Sequence, residues 1–306
     1  MKETTKGTIY TLIAGTAWGI SGVSGQVLIA NGISVMQITS LRLLISGVFL
    51  LAMARLRTPD TLAKVAHEKK SLLMIFLFGM LGLALNQVAY LVAIQHTNAG
   101  TATVLQYLCP VLVLGYACLR NRQAPTLVEV FSILLAISGT VFIATHGQLT
   151  SLAVTPLGLF WGLFSAVTYA IYIIFPIRLI REFGSLTVMG LGMLSGGLVI
   201  TLGFQTWRYA LPLTTTNLLG LLGIVGIGTI FAYTFFLEGV SKVGSVKGSL
   251  LASIEPVASV FFSVLLVHEV FYSMDLLGMV LILLAVMSIS AKDLLLQKKQ
   301  AKGEKG

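Results

Sequence analysis

Charged residues are scarce in this 306-residue chain: Asp, Glu, Lys and Arg together make up 10% of it, whereas 56% is hydrophobic. Soluble domains carry about 25% charged residues, and a soluble fold of this length could not bury so much apolar surface. The mean hydropathy of +0.94 agrees. A transmembrane helix takes roughly 20 apolar residues. The composition therefore predicts an all-α membrane protein with about ten transmembrane helices and no large soluble domain.

Residues and motifs that support catalysis or metal binding are also scarce. The two cysteines, Cys109 and Cys118, lie on one predicted helix, and the four histidines lie at or near helix ends. Neither pattern provides a disulfide framework or a metal-ligand set. No HExxH, GxSxG or GxxxxGK[ST] motif is present, so zinc-protease, serine-hydrolase and ATPase chemistry have no sequence support. We predict no metal, no cofactor and no enzymatic activity, and an intramembrane enzyme stays a much weaker alternative.

The formal net charge is +9, but the basic residues lie at the ends of apolar runs and do not form one polar stripe. This distribution is typical of membrane topology and not of a nucleic-acid-binding surface. With the N-terminus inside, the clusters after Met1, around Arg57, around Arg122, at Arg178 and in the tail all fall on one side. The positive-inside rule therefore predicts that both termini are cytoplasmic in a bacterial inner membrane.

Apolar runs, separated by Gly, Pro and charged residues, predict ten spans. Their approximate ranges are 7 to 30, 34 to 54, 71 to 94, 98 to 118, 126 to 146, 155 to 177, 186 to 206, 217 to 240, 245 to 267 and 273 to 291.

The two halves of the chain are related by an internal repeat. Residues 98–110 (NAGTATVLQYLCP) align with 244–256 (GSVKGSLLASIEP), and Pro110 meets Pro256 in a register that continues without gaps. Near the start of each half, Trp18 meets Tyr169. Five spans in each half is an odd number, so the halves must face opposite ways across the bilayer. We predict two inverted five-helix repeats, 1–147 and 154–292, followed by a polar cytoplasmic tail at 293–306, with the solute site near the midplane.

Several short elements in this order resemble the EamA family of the drug/metabolite transporter superfamily. They are Ala17-Trp18-Gly19, Arg42, the stretch from Gly79 to Tyr90 leading into Thr97-Asn98-Ala99, Pro110, His268-Glu269 and Gly278. The resemblance covers nearly the whole chain. It implies a ten-helix secondary carrier, commonly an exporter of amino acids or other metabolites, with a central cavity lined by spans one, three, four, six, eight and nine. At the position of Glu269, the first half carries Gln123, so one charge of the pattern is missing.

Two charged residues lie well away from the ends of the predicted spans, where charge is costly and usually faces a partner or a cavity. Arg42 is either a buried tether to carbonyls or a carboxylate, or a site residue. Glu255 lies near the centre of the ninth span, directly before Pro256, which frees a backbone carbonyl one turn back. A carboxylate here could bind solute or exchange protons, or pair with Arg42 or Lys247, or contact solvent. Glu238 is spaced for an ordinary pair with Lys242.

Polar and aromatic residues form a stripe on otherwise apolar spans. Exposing such a stripe to lipid would cost free energy, so it is expected to face the protein interior. There, amides and phenols can orient an amphipathic solute while aromatic rings contact its apolar part. The alternative is interhelical hydrogen bonding and packing. Gly79, Gly82, Asn86 and Tyr172 belong to the same polar and small-residue faces. The substrate-binding candidates are Trp18, Gln87, Tyr90, Gln106, Tyr107, Tyr169 and Tyr233.

The sequence therefore favours a secondary transporter of a small organic solute, an amino acid or related metabolite, working as an exporter by alternating access. A facilitator or an importer is the alternative. A channel would show a ring of charge or a carbonyl filter, and neither is visible. The predicted partners are a small-molecule substrate and the lipid bilayer but no nucleic acid, and the predicted oligomeric state is a monomer or a weak homodimer.

Overall fold

The computed structural model describes residues 3–122, 124–148, 153–244, 248 and 251–303, and within these residues the chain is helical without β-strands. The first half contains α1 (Glu3–Ala30), α2 (Val35–Arg57), α3 (Pro59–His67), α4 (Lys69–His96), α5 (Ala99–Gln106), α6 (Cys109–Asn121) and α7 (Leu127–Thr145). The second half contains α8 (Pro156–Phe183), α9 (Ser185–Phe204), α10 (Thr215–Val243), α11 (Glu255–Val267) and α12 (Ser273–Gly303).

Eight helical stretches among the described residues are long and apolar enough to cross a membrane. They are α1, α2, α4, Ala99–Tyr116, α7, α8, α9 and α10. Two shorter apolar helices, Glu255–Val267 and Ser273–Ser288, overlap the last two predicted spans. The protein is thus a multi-pass membrane protein, and the count of ten spans stays a prediction. The short helix α3, within the basic segment after α2, was not predicted.

Three of the predicted spans are interrupted close to a proline, and in one of them, 155 to 177, a turn at Phe175 and Pro176 divides α8. The predicted span 98 to 118 is divided into α5 and α6 by a turn at Tyr107 and Leu108, and Pro110 is the second residue of α6. In the second half α11 begins at Glu255, directly before Pro256. Proline lacks the amide hydrogen that a helix interior requires but fits the first turn. The prediction that Glu255 lies near the centre of a helix was therefore wrong, because it begins one.

Two spans contain a stretch of π-helix, in which the backbone hydrogen bonds are wider than in an α-helix. The stretches are Gly79–Ala84 in α4 and Leu222–Phe231 in α10. In the register of the internal repeat, 79–84 fall on 225–230, inside the second stretch. Both helices therefore depart from regular geometry at corresponding positions of the two halves. Stretches of π-helix occur often at functional sites.

The helices pack in pairs that mostly join the first half to the second. The largest contacts include α2 with α9, α7 with α12, α1 with α10 and α11, α4 with α9, and α8 with α4 and α5. Glycine permits close approach in several of them: a Cβ atom on Gly139 of α7 would lie 2.5 Å from the carbonyl oxygen of Gly278 on α12. The two halves therefore form one interlocked bundle.

Ion pairs lie at the ends of the helices. Lys242 pairs with Glu3 of α1 at 2.5 Å, and the predicted pair of Lys242 with Glu238 does not form in the described structure. Lys242 contacts α1 because α1 and α10 pack along their length. At the same end of the bundle, Lys292 pairs with Glu129 at 2.6 Å. We call this end, which carries Arg57, the basic end; it is the end predicted to be cytoplasmic.

Candidate functional site

A cavity lies in the centre of the bundle, lined by side chains from both halves. Its walls come from α1, α2, α4, α5, α8, α9, α10 and α11. It encloses about 100 Å³ open to water-sized molecules, enough for a few waters. Eight of the nine predicted site residues line it: Trp18, Arg42, Gln87, Tyr90, Gln106, Tyr169, Tyr233 and Glu255. The structure brings these residues together, and their roles in binding stay predictions.

Tyr107, the ninth predicted residue, lies behind Glu255 and not on the cavity wall. Its hydroxyl contacts Glu255 Oε2 at 2.9 Å and the backbone carbonyl of Ala252 at 3.2 Å. That carbonyl is available because Pro256, four residues later, has no amide hydrogen to donate to it. The proline thus leaves the backbone carbonyl of Ala252 free to accept a hydrogen bond from the Tyr107 hydroxyl. Tyr107 therefore orients the carboxylate from α11 against the turn that follows α5.

Arg42 is tethered to the π-helical stretch of α10. Its Nε donates to Thr229 Oγ1 at 2.9 Å, and one terminal nitrogen lies 3.5 Å from the carbonyl of Gly228. The described structure contains no ion pair between Arg42 and Glu255, although both line the cavity. The ion pair that the sequence left open for these two residues is therefore absent. Lys247, the other partner considered for Glu255, lies outside the described residues.

Amide and hydroxyl groups around the cavity are only partly hydrogen-bonded. Asn86 Oδ1 accepts from Gln106 Nε2 at 3.3 Å and from Thr168 Oγ1 at 3.1 Å. Gln87 Nε2 and Ser21 Oγ are buried without a partner among the described residues. Buried polar atoms are nearly always satisfied by protein, water or ligand, so these two groups point to polar occupants of the cavity.

Aromatic rings form the wall nearest the basic end. The hydroxyls of Tyr172 on α8 and Tyr233 on α10 are hydrogen-bonded to each other. Tyr169 stacks on Tyr172 with ring centroids 5.5 Å apart, and Trp18 meets Tyr233 edge-on at 5.9 Å. Trp18 thus both packs against a neighbour and lines the cavity, so the two predicted alternatives for it are compatible.

The opposite side of the cavity is closed by two layers of polar contacts. In the first, Tyr90 is hydrogen-bonded to Thr103 at 2.7 Å, and Thr103 to Ser259 at 3.2 Å. In the second, Gln26 donates to Glu269 at 2.5 Å and accepts from the amide of Ala99 at 2.8 Å. These contacts join α1, α4, α5 and α11. Gln123, the counterpart of Glu269, lies outside the described residues.

Several wall residues were not among the predicted site residues. Ser21, Gly22, Leu43, Leu83 and Met193 line the cavity. Ser21 could have been found, because the repeat that aligns Trp18 with Tyr169 also aligns Ser21 with Tyr172. Leu43 and Met193 carry no such signal, since an apolar residue inside an apolar span is indistinguishable from one that faces lipid.

No three His, Cys, Asp or Glu side chains come together among the described residues in a way that could hold a metal ion. The closest pair of this kind is His146 and Asp275, which are hydrogen-bonded near the end opposite the basic end. Asp275 also accepts from the amide of Tyr272 at 3.0 Å. This pair links the end of α7 to the start of α12.

Comparisons with known proteins agree with this architecture. The sequence profile of the EamA-like transporter family matches residues 5–145 and again 156–291. A Salmonella typhimurium protein named as the uncharacterized inner membrane transporter YicL is 34% identical over 291 residues, covering 95% of this chain and 97% of that protein. Protein PecM of Dickeya dadantii is 26% identical and covers 74% of this chain and 77% of its own length. Among the solved structures that match, one crystal structure has a TM-score of 0.61 at 19% identity and covers 91% of this chain and 95% of the other.

Proposed function

The chain belongs to the EamA-like transporter family, and on this premise we propose that it is a secondary transporter of a small zwitterionic solute, an amino acid or related metabolite. The observation that carries the proposal is the pair of opposite charges, Arg42 and Glu255, on the walls of one central cavity. Export by alternating access is the proposed mode, following what is common in the family. No catalytic role is proposed.

The charges come from different halves of the chain and are already held by neutral groups. Arg42 is fixed by Thr229 and Gly228, and Glu255 by Tyr107. A buried charge without a charged partner is costly, and a solute with a carboxylate and an ammonium group supplies both missing partners at once. Charge-assisted hydrogen bonds of this kind are about twice as strong as neutral ones. The aromatic wall of Trp18 and Tyr169 suits an apolar side chain on the solute.

The size of the cavity supports alternating access. Binding sites for organic ligands span roughly 300 to 1,000 Å³, whereas this cavity holds about 100 Å³. An amino acid therefore enters only when the helices around the cavity move apart. A channel needs a continuous open path across the membrane, and a cavity of this size does not provide one for an amino acid.

The helix contacts support the ten-span inverted repeat. Exchanging each span with the fifth span after it converts the contact of α1 with α10 into that of α8 with α4, and the contact of α1 with α11 into that of α8 with α5. The contacts α2 with α9 and α7 with α12 convert into themselves. We propose the repeats 1–147 and 154–292 on this ground, with the tail 293–306 and both termini in the cytoplasm. We also propose that the protein lies in the bacterial inner membrane as a monomer or weak homodimer and does not bind nucleic acid.

Ligand screening by thermal unfolding of the purified protein tests the solute class. We expect a zwitterionic amino acid to raise the unfolding midpoint, whereas the matched amine without the carboxylate and the matched acid without the amine raise it less. A ligand at 100 times its dissociation constant stabilises the folded state by about 2.7 kcal/mol. Midpoint shifts from both single-charge analogues as large as that from the zwitterion contradict the proposal. Counterflow in proteoliposomes and uptake by inverted vesicles then distinguish exporter from importer.

Replacing Tyr107 with Phe tests its proposed role in holding Glu255. The ring stays and only the hydroxyl that contacts the carboxylate and Ala252 is removed. Such a hydrogen bond contributes about 0.5 to 1.5 kcal/mol, so we expect the affinity for the zwitterion to fall about 2- to 10-fold. Affinity is measured by titration of the thermal shift. Tyr209→Phe, at an exposed ring, is the control, and equal effects of the two replacements exclude a specific role.

A further inference from the structure

A second cavity opens at the basic end, between α2, α9 and α10. It encloses about 550 Å³ and is lined among others by Arg57, Ser185, Tyr233, Leu237 and Glu238. We call it the basic-end vestibule. Arg57 and Glu238 are exposed at its mouth, whereas Leu50 at its inner part is buried. The vestibule therefore extends from the surface of the bundle into its interior and presents one charge of each sign at its mouth.

One side chain, Tyr233, lines both the vestibule and the central cavity. Its hydroxyl is hydrogen-bonded to Tyr172, which lies across from it on α8. Phe78 stacks on the other side of Tyr172 with ring centroids 6.2 Å apart. Tyr233 thus stands between the two cavities, and the bond between the two hydroxyls joins α8 to α10 at this level.

The other cavities at the two ends do not reach the central one. A groove of about 370 Å³ between α4 and α8, lined by Met74 and Arg178 among others, shares no described lining residue with it. The same holds for a cavity of about 260 Å³ around His146 at the opposite end. On that side the layers of Tyr90 with Thr103 and of Gln26 with Glu269 intervene. Toward the vestibule we find one hydrogen-bonded phenol pair, compared with two polar layers on the opposite side.

We propose that the path between the central cavity and the basic end runs through the basic-end vestibule, and that Tyr172 and Tyr233 form its gate. This proposal rests on the proposed function, because a gate matters only in a transporter. Parting the two hydroxyls moves α8 relative to α10 and joins the two cavities without disturbing the polar layers on the opposite side. The hydroxyl groups then become available to a passing solute.

Cysteine labelling tests the gate without any knowledge of the solute. In a background with Cys109→Ala and Cys118→Ser, Gln87→Cys places one thiol on the central cavity wall. The probe is the membrane-impermeant cation methanethiosulfonate ethyltrimethylammonium, applied separately to the two faces of the membrane. We expect Tyr233→Phe and Tyr172→Phe each to increase the labelling rate from the basic end at least threefold. Tyr209→Phe, at an exposed ring that lines neither cavity, is the matched control and should leave the rate unchanged.

Blocking variants test the path itself. Leu237→Trp narrows the basic-end vestibule, and we expect it to reduce labelling at least fivefold. Met74→Trp fills the neighbouring groove between α4 and α8 and should change the rate less than twofold. Unfolding midpoints of all variants confirm that they fold. Labelling that falls with Met74→Trp but not with Leu237→Trp overturns the path. Gate variants that label at the same rate as Tyr209→Phe, or that never label from the basic end, overturn the gate. The proposed function fails separately, in the ligand screen.

Discussion

Replacing Glu255 with Gln is expected to reduce transport of the zwitterion about 10- to 100-fold. Glutamine has nearly the same volume and can still accept the hydrogen bond from Tyr107, which lies 2.9 Å from the carboxylate. What disappears is the negative charge that the proposal assigns to the ammonium group of the solute. Hydrogen bonds to charged groups contribute about 1.5 to 3 kcal/mol, and each 1.4 kcal/mol is a factor of ten. Initial rates of counterflow in proteoliposomes measure the effect.

Glu182→Gln is the matched control for this experiment. Glu182 is exposed at the basic end and lies 3.5 Å from Lys64, and exposed ion pairs of this kind contribute little. Its replacement should change transport less than twofold. Wild-type rates in Glu255→Gln contradict the assigned role of the charge. If Glu255 also exchanges protons, its replacement removes the pH dependence of transport, and an unchanged pH profile excludes the proton role alone.

Replacing Gly139 with Leu should lower the stability of the bundle more than any of the changes above. A Cβ atom here would lie 2.5 Å from the carbonyl of Gly278 and 2.7 Å from a side-chain carbon of Ile282. Since a backbone atom cannot rotate away, α7 and α12 have to separate. Overpacking a well-packed site costs about 1 to 3 kcal/mol, and the upper end applies to a backbone contact. We expect the thermal midpoint in detergent to fall by roughly 5 to 10 °C.

Gly115→Leu provides the comparison, because nothing lies within 4 Å of a Cβ atom at that position. Both residues are helical glycines, so the two variants share the change in helix propensity and differ in the packing. Equal midpoints for the two variants would mean that the close approach of α7 and α12 contributes nothing to stability.

Much of the fold and part of the site follow from the sequence for a simple physical reason. A run of about 20 apolar residues matches the thickness of the hydrocarbon core, and a charge within such a run stands out. Arg42 and Glu255 could be predicted in this way. Tyr169 and Tyr233 could be predicted from the polar and aromatic faces of their helices. Tyr107 was predicted to line the cavity because it is adjacent to Gln106 in a span expected to be one continuous helix, whereas the chain turns there before Pro110.

Contacts between distant segments were beyond sequence reasoning. Lys242 pairs with Glu3 rather than with its near neighbour Glu238, because the packing of α1 on α10 brings the chain start to it. Gln26 gave no signal, since its two partners depend on where α5 begins and where α11 ends. These positions are set by tertiary packing, which overrides local periodicity.

The two π-helical stretches have a consequence for how the cavity is assembled. A stretch such as Gly79–Ala84 accommodates an extra residue within a helix, and each residue of an α-helix turns the chain by about 100°. Returning this stretch to ordinary α-helical pitch with all of its residues kept would turn everything beyond it about the helix axis as a block. Asn86, Gln87 and Tyr90 would then exchange places with residues that face neighbouring helices or lipid. The chemical identity of the hollow thus depends on helical phase as much as on which amino acids the chain contains.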